Sequence, residues 1–424
     1  MVSLESWASG EGIEFESEEA EEAYKARAGR MKTAIERGEP DRVPVQVRAG
    51  YLAGHFADVT FEELMYDGEK AKRAYREFID AFDPDNNPVM PIPSGKIFDI
   101  LDYKLYNWPG DGLEEDVAYQ AVEDEYLKPD EYDDIIENPD AYFLRKYLPR
   151  VFGEAEGLSK IPQLATASEL PFANAMMLSF GDPEVQSALD TLKEAGDEAV
   201  RWQMEVGSVS GEANAKGYPS ASGGYAKAPF DMIGDTLRGT RKTMIDMRKR
   251  PEKLKQASEA LVPMMTDLAV GGPKSTGVPI VMFVLHKGAD SFMSKDDFRE
   301  FYWPSLKEVM EGVLEEGYVP WMFAEGSYDD RLEILADDHP EGGDVVWHFD
   351  QTDIRRAKEV LGDQAAVAGN VPTGVLKTGT PEKVTDYCEG LIEDVGPDGF
   401  ILTPGATVYR APAENIHALI DSVK

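Results

Sequence analysis

AAVAGNVPTGVLKTGTPEKVTDYCEGLIEDVGPDGFILTPGATVYRAPAENIHALIDSVK, residues 365–424, is the stretch from which the fold is read. Two short apolar runs, Ala365–Val371 and Phe400–Thr403, each stop at a Gly-rich turn and feed a helix. Thr380 supplies a cap for the first of these helices and Pro381 its first helical position. Val384, Tyr387, Cys388, Leu391 and Ile392 then fall on one helical face, a core stripe. Strand, loop, helix, strand, loop, helix is how a parallel β/α protein closes.

Upstream, the same alternation recurs. Short apolar runs at Val43–Val47, Asn87–Ile92, Ala221–Ala226, Pro279–Leu285, Val319–Ala324, Val345–Phe349, Ala365–Ala368 and Gly399–Thr403 read as strands. Helical stretches lie between nearly all of them. Thr60–Phe82 opens on a Thr60…Glu63 capping box, and Ser294–Glu316 runs to Gly317 with Phe298, Tyr302, Val309 and Val313 on one face. Eight strand–helix units predict a TIM (β/α)8 barrel. A doubly wound sheet has the same alternation, because strand order is not written in one sequence. Residues 1–38 are expected as a helical lead-in outside the barrel and 39–424 as the barrel itself. Residues from about 94 to 218 are too many for a loop. They predict a mostly helical insertion after the second strand, covering one mouth.

Composition narrows the function classes. The chain has 424 residues, 42% of them apolar, and no apolar run approaches the roughly 18 residues of a membrane span. No basic-then-apolar leader is visible at the N-terminus, and one cysteine excludes an internal disulfide or a thiolate-rich metal site. A cytoplasmic protein is expected. Lys and Arg total 43 against 80 Asp and Glu, a net charge of −37. That balance repels nucleic acid and anionic membranes. Acids spread along the whole chain suit high salt, where self-repulsion is screened.

In a β/α barrel the chemistry sits at the C-terminal ends of the strands. Polar residues collect there: Arg48 and Tyr51, Lys227 and Asp231, His286, Lys287 and Asp290, Glu325 and Arg331, His348 and Asp350, and Asn370. A carboxylate such as Glu325, directly after an apolar strand, is costly unless paired or bound to something. His286, Glu325 and Asp350 are therefore the candidate catalytic set. Arg48, Tyr51, Lys227, Asp231, Lys287, Asp290, Arg331 and Asn370 are candidate substrate contacts. Nitrogen and oxygen donors from His286, Glu325 and His348 would suit a hard divalent metal.

The wording GNV…GTPEKV…GFILTPG…PAENI resembles the end of the uroporphyrinogen decarboxylase and corrinoid-methyltransferase superfamily. PVQVRAGY (44–51), APFDMIGDTLRG (228–239), ADSFMSKDDFREFYWP (289–304) and FDQTDIRRAKEVLGDQAAVAGNV (349–371) extend the likeness over roughly Arg42–Lys424. The resemblance implies the barrel, a small-molecule substrate, a homodimer and either of two activities. One is methyl transfer with a corrinoid protein or a small methyl donor, towards which GTPEKV leans. The other is decarboxylation, with Arg48 gripping a carboxylate. A non-catalytic barrel that sequesters a tetrapyrrole or corrinoid is a third reading. The lid aromatics Tyr103, Tyr106, Trp108, Tyr119 and Tyr126 would supply the dimer interface. The superfamily's signatures are altered here. Phe323, Glu325 and Ala406 stand where the methyltransferases place the His-x-Cys and Cys that bind zinc. Pro93 stands where the decarboxylases place an aspartate, and the decarboxylases' Gly-His-Gly turn is missing from TPGATV (403–408).

Overall fold

The computed structural model describes residues 2–424. Six parallel strands pair in chain order: β1 (Gly224–Ala226), β2 (Ile280–Leu285), β3 (Val319–Ala324), β4 (Val346–Phe349), β5 (Ala366–Val371) and β6 (Phe400–Pro404). A doubly wound sheet reverses its order part-way. This one never does, and helices separate its strands, as in a TIM barrel.

Both strand faces are buried, which explains continuous runs such as Ile280–Leu285 in place of apolar–polar alternation. Val281, Phe283, Met322, Trp347, Val367 and Leu402 pack outward with the helices. Ile280, Met282, Val319, Trp321, Val346, Ala366, Ala368 and Ile401 point the other way. They share a core with Trp7, Tyr24, Ala28 and Met31 from helices Leu4–Ser9 and Glu18–Ile35. The lead-in helices thus pack against the inner face near the strands' starting ends, leaving the chemistry to the opposite mouth.

Two expected strands are not ladders. Val43–Val47 makes one parallel bridge, Val45 with Leu402, and Asn87–Ile92 makes none among the described residues. Prolines 44, 88, 91 and 93 remove backbone donors there, and side chains take over. Val45 N–H donates to Asp85 Oδ2 (2.9 Å), Val47 N–H donates to Asn86 Oδ1 (2.9 Å), and Asn86 Nδ2 donates to Val47 O (2.9 Å). Single backbone bonds carry the link onward: Gln46 N–H to Leu402 O, Ala49 N–H to Pro88 O, and Asn87 N–H to Pro219 O.

Thr60–Phe82 is two helices, Phe61–Tyr66 with its capping box and Gly68–Ala81, which Asp67 caps anew. Residues 94–218 hold helices Gly95–Leu101, Tyr132–Glu137, Pro183–Trp202 and Ser208–Ala215, and also a small three-stranded sheet between Tyr106 and Ala121 that was not foreseen. Ser94 Oγ donates to Glu198 Oε1 (2.7 Å) and Trp202 Nε1 to Ile92 O (2.9 Å), tying the long helix to the segment after the second apolar run. Among the described residues no helix is long and apolar enough to cross a membrane.

The surface pairs many of its 43 bases, but 80 acids leave a large excess. Salt weakens each exposed pair, worth about 0–1 kcal/mol, and also screens the excess repulsion, the larger effect at a charge of −37. The melting temperature is therefore expected to rise from dilute buffer to molar KCl. A flat or falling value in a salt series would remove the high-salt reading.

Candidate functional site

Strand register builds the centre of the site. Leu285 pairs with Ala324, and Ala324 with Phe349. The next residues along the three strands are His286, Glu325 and Asp350, neighbours on the inner face by the period of two. His286 Nε2 lies 3.8 Å from Glu325 Oε2. Asp350 Oδ2 accepts from Gly326 N–H at 3.1 Å and so braces the turn that carries Glu325.

The loop after β1 brings the partner that the sequence reading passed over. Pro229–Asp231 leads into a wide π-type turn, Met232–Leu237, a distortion common at functional sites. Asp235 from this turn reaches His286 Nδ1 (2.5 Å), Lys227 Nζ (2.6 Å) and Lys287 Nζ (2.8 Å). Gly234 lets the Lys287 chain lie close, since a Cβ there would stand 3.3 Å from Lys287 Cε. The i, i+4 spacing of Asp231 and Asp235 was the available signal, because it puts both acids on one side of a helical turn.

Electrostatics follow from this arrangement. Burial alone would lower the His286 pKa; the hydrogen bond and charge of Asp235, with Asp231 behind it, outweigh burial and raise it. Asp235 is buried too, yet His286 and the two lysines hold its carboxyl well below the usual carboxylate range. Burial raises Glu325, His286 opposes, and Asp350, Asp231 and Asp235 raise it further. A carboxyl and an imidazole, both of raised proton affinity and 3.8 Å apart, form a unit suited to passing protons to and from a bound substrate.

The other predicted contacts divide. Lys227 and Lys287 are at the site, bound to Asp235. Arg48 lies below it: Nη1 is 2.8 Å from Met282 Sδ, and Nε and Nη2 are buried with no hydrogen-bond partner among the described residues. Asp231 is fully buried and serves the backbone, accepting from His286 N–H, Lys287 N–H and Tyr302 Oη. Tyr51 is buried behind the wall, its hydroxyl on Met65 Sδ and its ring 5.9 Å from Tyr119 and 6.0 Å from Tyr409. Asp290 accepts from Ser327 Oγ (2.7 Å), joining two loops. Arg331 is buried and donates to Gly288 O and Met293 O, so it is a loop strut and not a substrate contact. Asn370 is buried, with Nδ2 on Thr352 O.

The metal set of His286, Glu325 and His348 does not assemble. His348 Nε2 is 2.9 Å from Pro404 O, and its Nδ1 accepts from Trp321 Nε1 at 3.3 Å. Both ring nitrogens are therefore engaged, and burial pushes the imidazole down to about 3, so it is neutral. Among the described residues no group of three or more His, Cys, Asp or Glu is arranged around a metal position. Cys388 is buried in helix Pro381–Val395, its thiol pushed up to about 12 by burial.

Of the lid rings expected at a dimer interface, Trp108 and Tyr126 are buried within the single chain, Tyr103 and Tyr106 are half-buried and Tyr119 is exposed. Tyr119 and Tyr409 line a cavity of about 610 Å³ together with Phe61, Lys377 and Arg410.

The uroporphyrinogen decarboxylase (URO-D) family profile matches residues 180–424. The chain belongs to this family. Two curated relatives carry the name uroporphyrinogen decarboxylase: one from Chlorobium luteolum, 34% identical over 107 residues, and the chloroplastic enzyme 2 of Arabidopsis thaliana, 32% identical over 126 residues. Those alignments cover 25% and 29% of this chain, and the chain spans only 29% and 31% of the relatives' own lengths. A solved structure described as a methyltransferase from Methanosarcina mazei matches with a TM-score of 0.57 at 16% identity. It covers 94% of this chain and 97% of that one. At that identity the likeness speaks to the fold. In this family setting Phe323 stacks 4.6 Å from His348 and Glu325 faces His286, where the resemblance places zinc ligands. These residues do not fit a thiolate-bound zinc.

Proposed function

We propose that the protein is a methyltransferase-like enzyme of its family, taking a methyl group from a small substrate and passing it to an acceptor carried by a separate corrinoid protein. The observation that carries this reading over decarboxylation of a polycarboxylate is the state of the mouth lysines. Lys227 and Lys287 both pair with Asp235, and with Asp231, Glu325 and Asp350 close by the mouth has no excess of positive charge to hold a polycarboxylate.

Asp235 is a positioning residue. It fixes the imidazole through Nδ1 and favours its charged form, turning Nε2 towards Glu325. Glu325, whose proton affinity is raised, protonates the substrate heteroatom as its bond to the methyl carbon breaks, with the charged His286 3.8 Å away to stabilise the carboxylate left behind. The bonding pair stays on the heteroatom, and the methyl leaves with the acceptor.

A second reading rests on Arg48. Its unpartnered Nε and Nη2 could hold one carboxylate of a decarboxylated substrate. The two readings separate in one experiment. The purified protein is mixed with methylated candidate substrates and a reduced corrinoid, and corrinoid absorbance is followed. The same protein is given uroporphyrinogen and carbon dioxide release is measured. A corrinoid spectral change without carbon dioxide is expected; carbon dioxide release with an inert corrinoid would overturn methyl transfer.

A further inference from the structure

A second, smaller cavity of about 220 Å³ is lined by Pro93, Phe98, Tyr103, Tyr106, Trp108 and Tyr119. Its rings form a continuous series. Centroids of Trp108 and Phe98 are 5.4 Å apart, Phe98 and Tyr103 5.5 Å, Tyr103 and Tyr106 5.9 Å, and Tyr106 and Tyr119 5.7 Å. Trp108 is held in place from behind: its Nε1 donates to Tyr66 Oη (2.9 Å), which donates to Asp99 Oδ1 (3.0 Å). Gly95 makes that wedge possible, because a Cβ there would come within 2.4 Å of the Tyr66 ring.

The recess is partly open to solvent, so a small ligand reaches it without the rings moving. It holds several times a water's share of about 30 Å³. It is smaller than the roughly 300–1,000 Å³ of a site for a whole drug-sized ligand, so it suits a compact head group and not a macrocycle. Ring faces carry negative quadrupole charge and attract cations. Among the described residues no Lys or Arg of the chain sits over any of these five rings. A chain of charge −37 also draws small cations towards it. We infer that this aromatic box is a binding subsite for a small N-methylated ammonium head group. The inference concerns binding and stands apart from whichever reaction the acid–base pair performs. Tyr119 borders both cavities.

Calorimetric titration of the folded protein in molar KCl tests this, with choline and with 3,3-dimethylbutan-1-ol, its uncharged carbon isostere. Choline is expected to bind at least tenfold more tightly than the isostere. Tyr103→Leu and Tyr106→Leu should each weaken choline about tenfold, and Tyr103→Phe, which keeps the ring, should not. Equal affinity for the two probes, no binding of choline, or unchanged affinity in both Leu variants overturns the subsite. The comparison of probes on the unaltered protein decides the matter even if a variant fails to fold. Choline binding without methyl transfer from it leaves the subsite intact and counts only against that donor in the proposed reaction.

Discussion

Glu325→Gln is expected to lower kcat by about 10²–10⁴-fold, the range of a lost general acid or base, with the melting temperature nearly unchanged. The amide keeps the shape and removes only the titrating group, and Glu325, 3.8 Å from His286, has no short ion pair to lose. Asp235→Asn gives a different signature because it acts through His286. With the carboxylate present, the His286 pKa is raised, so the protonated imidazole persists to higher pH than a free one. Turnover that needs it is complete below that value and falls as pH rises through it. Removing the Asp235 charge leaves burial as the leading influence, which lowers the His286 pKa. The alkaline limb of the kcat profile should therefore move to lower pH. Profiles of both variants against the parent check this. An unmoved limb in Asp235→Asn would show that the aspartate only holds its loop, and a Glu325→Gln enzyme of full activity would end its catalytic assignment.

The second large effect concerns stability. Asp85→Ala should cost about 3–5 kcal/mol, the usual penalty for removing one partner of a buried ion pair. Asp85 is fully buried and accepts from Arg30 Nη1 (2.6 Å), Arg42 Nη1 (2.7 Å) and Val45 N–H (2.9 Å). One carboxylate thus joins the lead-in helix, the first apolar segment and the segment that follows it. Arg30 keeps Asp41 as a second partner, so the lower end of the range is the better expectation. Denaturant midpoints at constant salt measure it. A change under about 0.5 kcal/mol, the ordinary span of a surface substitution, would mean that the segment is held by its backbone bonds alone.

That carboxylate also marks where reading by pattern stops. Periodicity finds strands that are apolar on both faces, and so Ile280–Leu285, Val319–Ala324, Val346–Phe349 and Phe400–Pro404 were legible almost to the residue. It cannot tell a ladder strand from an extended segment whose donors are satisfied by Asp85 and Asn86, since both present the same apolar run. Pro44 and Pro88 were the local warning. Residues one step past the strand ends were legible as a set because a closed parallel arrangement turns all such ends to one mouth. Their individual duties were not.

By itself the sequence determined the parallel β/α alternation, the family through its ordered C-terminal motifs, the acid excess, and His286, Glu325 and Asp350 as neighbours. These are consequences of local periodicity and of a register that follows from strand length. Tertiary structure alone decided that Asp235 and not Asp231 takes the imidazole, that Arg331 and Asp290 brace loops, and that His348 is sealed between Trp321 and Pro404. It also decided that the lid rings line an open recess. Each of these depends on contacts between residues far apart in the chain, and on which polar atoms are already satisfied once the chain has packed.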